Sequence, residues 1–286
     1  MSALSSIGGS GCALRESHPD PSTDYILTSR LAIGSVRRTG WSLSQSKRIL
    51  DILIALGVIS TFAVPMLLIA ACIRLTSKGP SILIQQRVGL NGRMFALFKF
   101  RSMESSAQCL GPGLTRAGDS RITPVGRWIR KFKLDELPQF YNILRGDMSV
   151  VGPRPKLPQY AEEANLGFRP GITGAATLAF RDEEDILAGI DPEDVETFYQ
   201  SHIKPMKSLM DQRYMREASF VTDTKIVLLT FLTCLVPRID PRRHIDIMKV
   251  PCRTDGCSGP CASKSTASER MCIIKAAAGE ARNPTY

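Results

Sequence analysis

From Ile52 to Ile73 the chain reads ILIALGVISTFAVPMLLIAACI, 22 consecutive residues without a charge. As a helix, a run of this length covers ~33 Å, about the thickness of a bilayer's hydrocarbon core. No other stretch restricts the fold as strongly. Lys47 and Arg48 precede it, and Arg74 and Lys78 follow. Cations at both ends suit a simple span poorly, because Lys and Arg collect on the cytoplasmic side. Pro65 removes one helical N–H, frees the Thr61 carbonyl and bends the helix. Ser60 and Thr61, one turn earlier, carry hydroxyls that can satisfy the freed backbone. A re-entrant helix–break–helix, entering and leaving the same leaflet, accounts for both oddities. A bent span and a buried core helix are the alternatives.

The rest of the chain divides around this run. Residues 1–44 are rich in Ser and Gly and read as a disordered or accessory segment. Residues 45–78 form the anchor, 79–240 a folded domain, and 241–286 a basic tail. Apolar residues are 43% of the 286, enough for a core, and the formal net charge is +10. Such a balance points to an anionic partner: nucleic acid, an acidic membrane surface or a phosphorylated substrate. Aromatics are only 7% and form no stacking motif, which leaves nucleic acid unsupported. Of the 8 cysteines, Cys252, Cys257, Cys261 and Cys272 crowd the tail without the C-x2-C pairs of a zinc site. With no secretory cleavage pattern, they read as free thiols in a reducing compartment.

Within the folded domain, alternating apolar residues flank Asn91-Gly92, a strong hairpin signal, and predict strands near 82–88 and 94–99. A helix is expected from Pro124, with Trp128, Ile129 and Phe132 inward and Arg127, Arg130 and Lys131 on a basic face. A second helix is expected from about Leu134 to Arg145, stopped by Gly146. FRPGITG, at 168–174, reads as a turn, and helices follow near 192–212 and 222–236. The last contains an apolar run, Ile226 to Val236, too short to span a bilayer. It is a core helix or one lying on the membrane surface.

Asp135 and Glu136 stand out inside this basic stretch. In a helix's first turn, beside Arg130, Lys131 and Lys133, both are expected to be ionised. An ionised Asp among phosphate-binding cations can attack phosphorus, and its neighbour can hold Mg²⁺. Acids in a first turn also serve simply as caps and counter-charges. Arg154, held between Pro153 and Pro155, is a pre-organised phosphate ligand, or else a structural partner for Asp147.

Taken together, KRILDILIA, the apolar run with Pro65, SKGPSILIQQRVGLNGRMFALFKFRSM, RITPVGRWIRKFKLDELPQFYNILRGDMSVVGPRP, RPGITG and TDTKIVLLT resemble the bacterial sugar transferases. These are the monotopic polyprenyl-phosphate phosphoglycosyl transferases, and the resemblance covers roughly residues 45–237. It implies a helix-rich α/β (α+β) fold: a re-entrant membrane hairpin plus a small cytoplasmic catalytic domain with surface amphipathic helices. It implies transfer of a hexose-1-phosphate from a UDP-sugar to polyprenyl (undecaprenyl) phosphate with release of UMP, as a first step in exopolysaccharide or other glycoconjugate synthesis. The setting implied is the cytoplasmic face of a bacterial inner membrane with its anionic lipids, with homo-oligomers compatible.

By the same resemblance Asp135 is the nucleophile and forms a covalent phospho-sugar intermediate, while Glu136 coordinates Mg²⁺. Arg130, Arg154 and Asp223 line the site, Arg181 aligns more loosely, and Lys99 and Arg101 match a basic stretch. This sequence departs from the family pattern where Lys133 replaces a capping Ser or Thr, an expected loss of ~1 kcal/mol. Val64 replaces a Ser before the membrane proline. AATLAFRDEEDILAGI replaces a Trp- or Gln-containing stretch after PGITG. Two other functions fit the same residues: a membrane-bound nucleotide-sugar hydrolase, and a non-catalytic basic scaffold on anionic lipids.

Overall fold

A Ser44 hydroxyl that accepts the Lys47 N–H at 3.1 Å starts the longest helix, α1, Gln45–Thr76. In the computed structural model, which describes residues 40–104, 115, 117–158, 167–236 and 241, α1 is a single 32-residue helix with Pro65 inside it. The expected break is therefore not a helix terminus. Pro65 costs one N–H, and the good helix formers after it, Met66, Leu67 and Leu68, carry the helix on. The expectations placed on the first 39 residues, on most of the loop after Glu104 and on the thiol-bearing tail lie outside the described residues.

Both ends of α1 pack on the same body. Toward its start, Lys47 pairs with Asp223 and Asp51 accepts from Ser149 Oγ (2.8 Å) and the Val150 N–H (3.0 Å). Arg48 donates to the Ile143 carbonyl at 2.6 Å and the Leu144 carbonyl at 3.0 Å. Toward its end, Ile69 and Ile73 join a buried cluster with Phe100, Ile129 and Leu137. Between these attachments Ser60 to Pro65 is exposed, as are Leu67 and Leu68.

The hairpin forms where Asn91-Gly92 predicts it. Strands β1, Ile82–Val88, and β2, Met94–Phe100, pair antiparallel with Leu83 opposite Lys99 and Arg87 opposite Phe95. Asn91 (φ 55°) and Gly92 (φ 77°) take the left-handed conformations such a turn needs. The same face of the hairpin carries Arg87 and Lys99 alongside buried Phe95 and Leu97.

Helix α2, Pro124–Lys131, begins on a Thr123 cap that accepts the Gly126 N–H at 2.9 Å. Of the three residues expected inward, only Ile129 is buried. Trp128 and Phe132 are 56% and 43% exposed and pack edge-to-face on one another at 5.5 Å. The helix expected over 134–145 is split: a 3₁₀ turn, Leu134–Glu136, precedes α3, Gln139–Arg145. Pro138, lacking an N–H, sits at the joint.

FRPGITG contains a strand, not merely a turn. β3, Ser149–Val151, pairs parallel with β4, Gly171–Thr173. A Cβ on Gly171 would stand 2.1 Å from the Gly152 nitrogen, so only two glycines allow this approach. Gly171→Ala is expected to cost about 1–3 kcal/mol through forced backbone shifts. Thermal unfolding in detergent checks it, and an unchanged midpoint would sink the claim.

Five further helices complete the described chain: α4, Ala175–Ala179; α5, Glu183–Ala188; α6, Val195–Phe198; α7, Lys204–Glu217; and α8, Phe220–Leu235. A π turn, Tyr199–Ile203, joins α6 to α7. One face of α8 buries Asp223, Ile226 and Leu229. Its other face exposes Phe220, Val221, Leu228 and Phe231, so it is a core helix with an apolar outer surface.

Candidate active site

The acid pair is placed by a strained corner. After α2, Lys133 adopts a left-handed backbone (φ 56°), its N–H bonded to the Arg130 carbonyl at 3.0 Å, and no side chain caps the following turn. A non-glycine residue in that region is uncommon. The corner turns Asp135 inward: it is 8% exposed, and its Oδ1 is buried with no hydrogen-bond partner.

Burial, reinforced by the Glu136 charge, pushes the Asp135 carboxyl up to about 6, against the pull of Arg130, Lys133 and Lys99. Both acids are still ionised near neutral pH, as the sequence suggests, but burial works against the charge on Asp135. The 3₁₀ turn offers no helical end, and desolvation outweighs the nearby cations. Glu136 behaves oppositely. Burial acts to raise it, but the charges of Arg154 and Lys133 and the Arg154 hydrogen bond prevail and hold it below the usual range. Unlike neighbours are a common arrangement in acid–base and nucleophilic sites.

Arg154 meets Glu136 at 3.0 Å through Nη2, rather than Asp147, which pairs with Arg145 at 3.4 Å. Its side chain is half exposed. The proline-flanked turn carrying it is fixed on three sides. Arg87 donates to the Pro155 carbonyl at 3.1 Å, the Gly171 N–H to the Pro153 carbonyl at 2.9 Å, and the Val88 N–H to the Lys156 carbonyl at 3.0 Å.

Lys99 projects from β2 into the same cluster. Burial brings its ammonium down to about 8; Asp135 opposes this, while Arg87, Arg154 and Arg130 add to it. Arg130 is held by Ser102 Oγ at 3.4 Å and is paired with Glu184. Arg87 escaped the sequence reading. Burial and the neighbouring Arg154 bring it down to about 10. Strand alternation could have found it, since it shares a face with Lys99.

Three expected site residues are engaged by partners other than the acid pair. Arg101 is buried and donates to Ser77 O (2.9 Å), Ser77 Oγ (2.8 Å) and Lys78 O (2.7 Å), holding the end of α1. Asp223 is engaged by Lys47, by Trp41 Nε1 at 2.9 Å and by Tyr214 OH at 2.8 Å. Arg181 pairs with Asp182 at 3.5 Å beyond α4, and its Nη1 is buried without a partner.

Fold and site together define a helix-rich protein with one long apolar helix and a buried carboxylate ringed by cations, an arrangement suited to phosphorylated ligands. The chain belongs to the bacterial sugar transferase family, whose family model matches residues 42–237. It is 39% identical over 197 residues to the UDP-glucose:undecaprenyl-phosphate glucose-1-phosphate transferase of Caulobacter vibrioides, covering 64% of this chain and 67% of the relative. It is 36% identical over 214 residues to the galactosyl transferase CpsE of Streptococcus agalactiae, covering 67% of this chain and 42% of that one. It is 42% identical over 141 residues to the UDP-N-acetylgalactosamine-undecaprenyl-phosphate N-acetylgalactosaminephosphotransferase of Aeromonas hydrophila, 46% of this chain and 33% of the relative. The chain thus spans less than half the length of the latter two.

Proposed function

We propose that the chain is a phosphoglycosyl transferase that moves a hexose-1-phosphate from a UDP-sugar to polyprenyl phosphate and releases UMP. The observation that carries this reading is Asp135: a buried carboxylate with an unpartnered oxygen, surrounded by Arg130, Lys133 and Lys99. The relatives' names supply the substrate classes. An Asp135 oxygen attacks the sugar-bearing phosphorus, the bond to the bridging oxygen of the diphosphate breaks, and UMP departs with that electron pair. The phosphate oxygen of polyprenyl phosphate then attacks the same phosphorus. The acyl-phosphate bond breaks, giving a lipid diphospho-sugar and regenerating the Asp135 carboxylate.

Arg154 and Arg130 hold phosphate oxygens, and Lys99 offsets the charge that builds on the leaving UMP. Mg²⁺ fits this donor set. Among the described residues no three His, Cys, Asp or Glu are placed to hold a metal ion together, but magnesium needs only one or two carboxylates. Glu136 would hold it, and when bound it neutralises charge on the diphosphate.

α1 supports a membrane assignment. A straight 32-residue helix would be ~48 Å long, well beyond a bilayer core. Both its ends are fixed to one body while its apolar middle is exposed. A re-entrant segment on the cytoplasmic face of the inner membrane satisfies both facts. Trp128, Phe132, Phe220, Leu228 and Phe231 then face lipid rather than water.

The reading is tested by UMP release from a panel of UDP-sugars with Mg²⁺, with and without undecaprenyl phosphate. Release that needs no lipid phosphate would favour hydrolysis, and salt-sensitive vesicle binding without turnover would favour a scaffold. The pH profile gives a second check. Asp135 must be deprotonated to attack, and Lys99 protonated to hold charge, so kcat/KM is expected to be bell-shaped with limbs near about 6 and about 8. A profile flat from pH 5 to 7 on a logarithmic plot would remove Asp135 from this role.

A further inference from the structure

The cations of the site already face carboxylates of the chain itself. Arg154 meets Glu136, Arg130 is paired with Glu184, and Lys207 is paired with Glu183, whose charge also acts on Arg154. Glu183 and Glu184 open α5, in the stretch where the sequence leaves the family pattern. The Arg130–Glu184 pair is asymmetric. The Arg130 side chain is 19% exposed and also held by Ser102 Oγ, whereas the Glu184 side chain is 40% exposed. Its backbone is fixed separately, its carbonyl accepting the Ala117 N–H at 3.0 Å. Glu184 can therefore swing its carboxylate into water without moving α5, while Arg130 stays in place.

We propose that Glu184 is an exchangeable occupant of the Arg130 guanidinium, displaced by the phosphates of an incoming nucleotide-sugar and returning as the nucleoside monophosphate leaves. This rests on the transferase reading above. Carboxylate and phosphate compete for the same guanidinium fork. A tethered carboxylate competes at an effective concentration set by its short tether, in the millimolar range. It weakens every ligand that needs Arg130, including the first product. A two-step transfer through one site requires that product to leave before the second phosphate can enter, so weaker UMP binding serves turnover. Glu184 is thus a positioning residue that sets how firmly nucleotide is held.

The test is calorimetric binding of UMP to the full chain in detergent, for the wild type, Glu184→Gln and Glu184→Asp, with UMP inhibition of turnover measured alongside. Because the pair is partly exposed, Glu184→Gln is expected to tighten UMP about three- to tenfold. It is expected to lower the donor KM by a similar factor without raising kcat. Glu184→Asp, which keeps the charge, should stay near wild type. Equal or weaker UMP binding by Glu184→Gln, with the fold intact by thermal unfolding, overturns the proposal. Absence of wild-type UMP release with any donor would instead overturn the transferase reading and this inference with it.

Discussion

Asp135→Asn removes UMP release and phospho-sugar transfer together, by at least about 10⁴-fold, the scale on which loss of a nucleophile falls in covalent catalysis. The amide is nearly isosteric but has no lone pair basic enough to form the acyl-phosphate bond. Two further readouts separate this from a structural defect. Radiolabelled UDP-sugar should leave label on the wild type in the absence of lipid acceptor, and none on the variant. Stability should move the other way. A carboxyl whose folded value lies near 6, above its unfolded value, binds its proton more tightly when folded, so its ionised form opposes folding above that pH. Asp135→Asn is therefore expected to melt slightly higher than wild type at pH 7.5. A variant retaining more than about a tenth of the activity, or one that melts markedly lower, would argue against a nucleophile held at a cost in stability.

Asp223→Ala is expected to be the most destabilising single change among the described side chains, at about 3–5 kcal/mol. It strands the Lys47 ammonium, whose side chain is 6% exposed, without its counter-charge. It also leaves Trp41 Nε1 without this acceptor and the buried Tyr214 hydroxyl with only the more distant Val151 carbonyl at 3.3 Å. Burial, and after it the Asp223 charge, already holds the Tyr214 phenol far above its ordinary value, so this hydroxyl remains a donor seeking an acceptor. At 2–4 °C per kcal/mol for a chain of this size, the midpoint should fall by roughly 6–20 °C. Replacing both partners, Lys47→Met with Asp223→Leu, should lose less than Asp223→Ala alone, because no charge is stranded. A single-variant loss below 1 kcal/mol, or a double variant worse than the single, would show the pair to be incidental.

Features carried by neighbours in sequence were legible in it. The hairpin followed from Asn91-Gly92, the end of α3 from Gly146, and α8 from its apolar run. The buried Ile129 was found too. Trp128 and Phe132 were placed on the wrong side because three apolar residues within one turn read as a single inward face, whereas only Ile129 meets the Phe100 cluster. The β4 strand was hidden because Pro170 and Gly171 read locally as a turn. What makes the strand is the distant Gly152, against which only a glycine fits. The candidate site divides in the same way. Asp135, Glu136, Arg130, Arg154 and Lys99 could be picked out from residue types and resemblance, and the structure brings these five together. The raised carboxyl of Asp135 could not be foreseen, since it depends on the left-handed Lys133 corner and on burial. Nor could the partners of Arg101, just past the end of α1, or those of Asp223, drawn from Trp41, the start of α1 and Tyr214 of α7.

The clamp between Lys47 and Asp223 also has a consequence in time. Its partners lie 176 residues apart. At about 5–20 residues per second, Asp223 leaves the ribosome roughly 9–35 s after Lys47. Throughout that interval Lys47 lacks its final partner, and Asp51, one turn further along the same helix, is the acid within reach. Asp51, which awaits Ser149 and Val150 of β3, finds its partners sooner. The start of α1 therefore meets its last partner late, and its seating against α8 is one of the final events of folding.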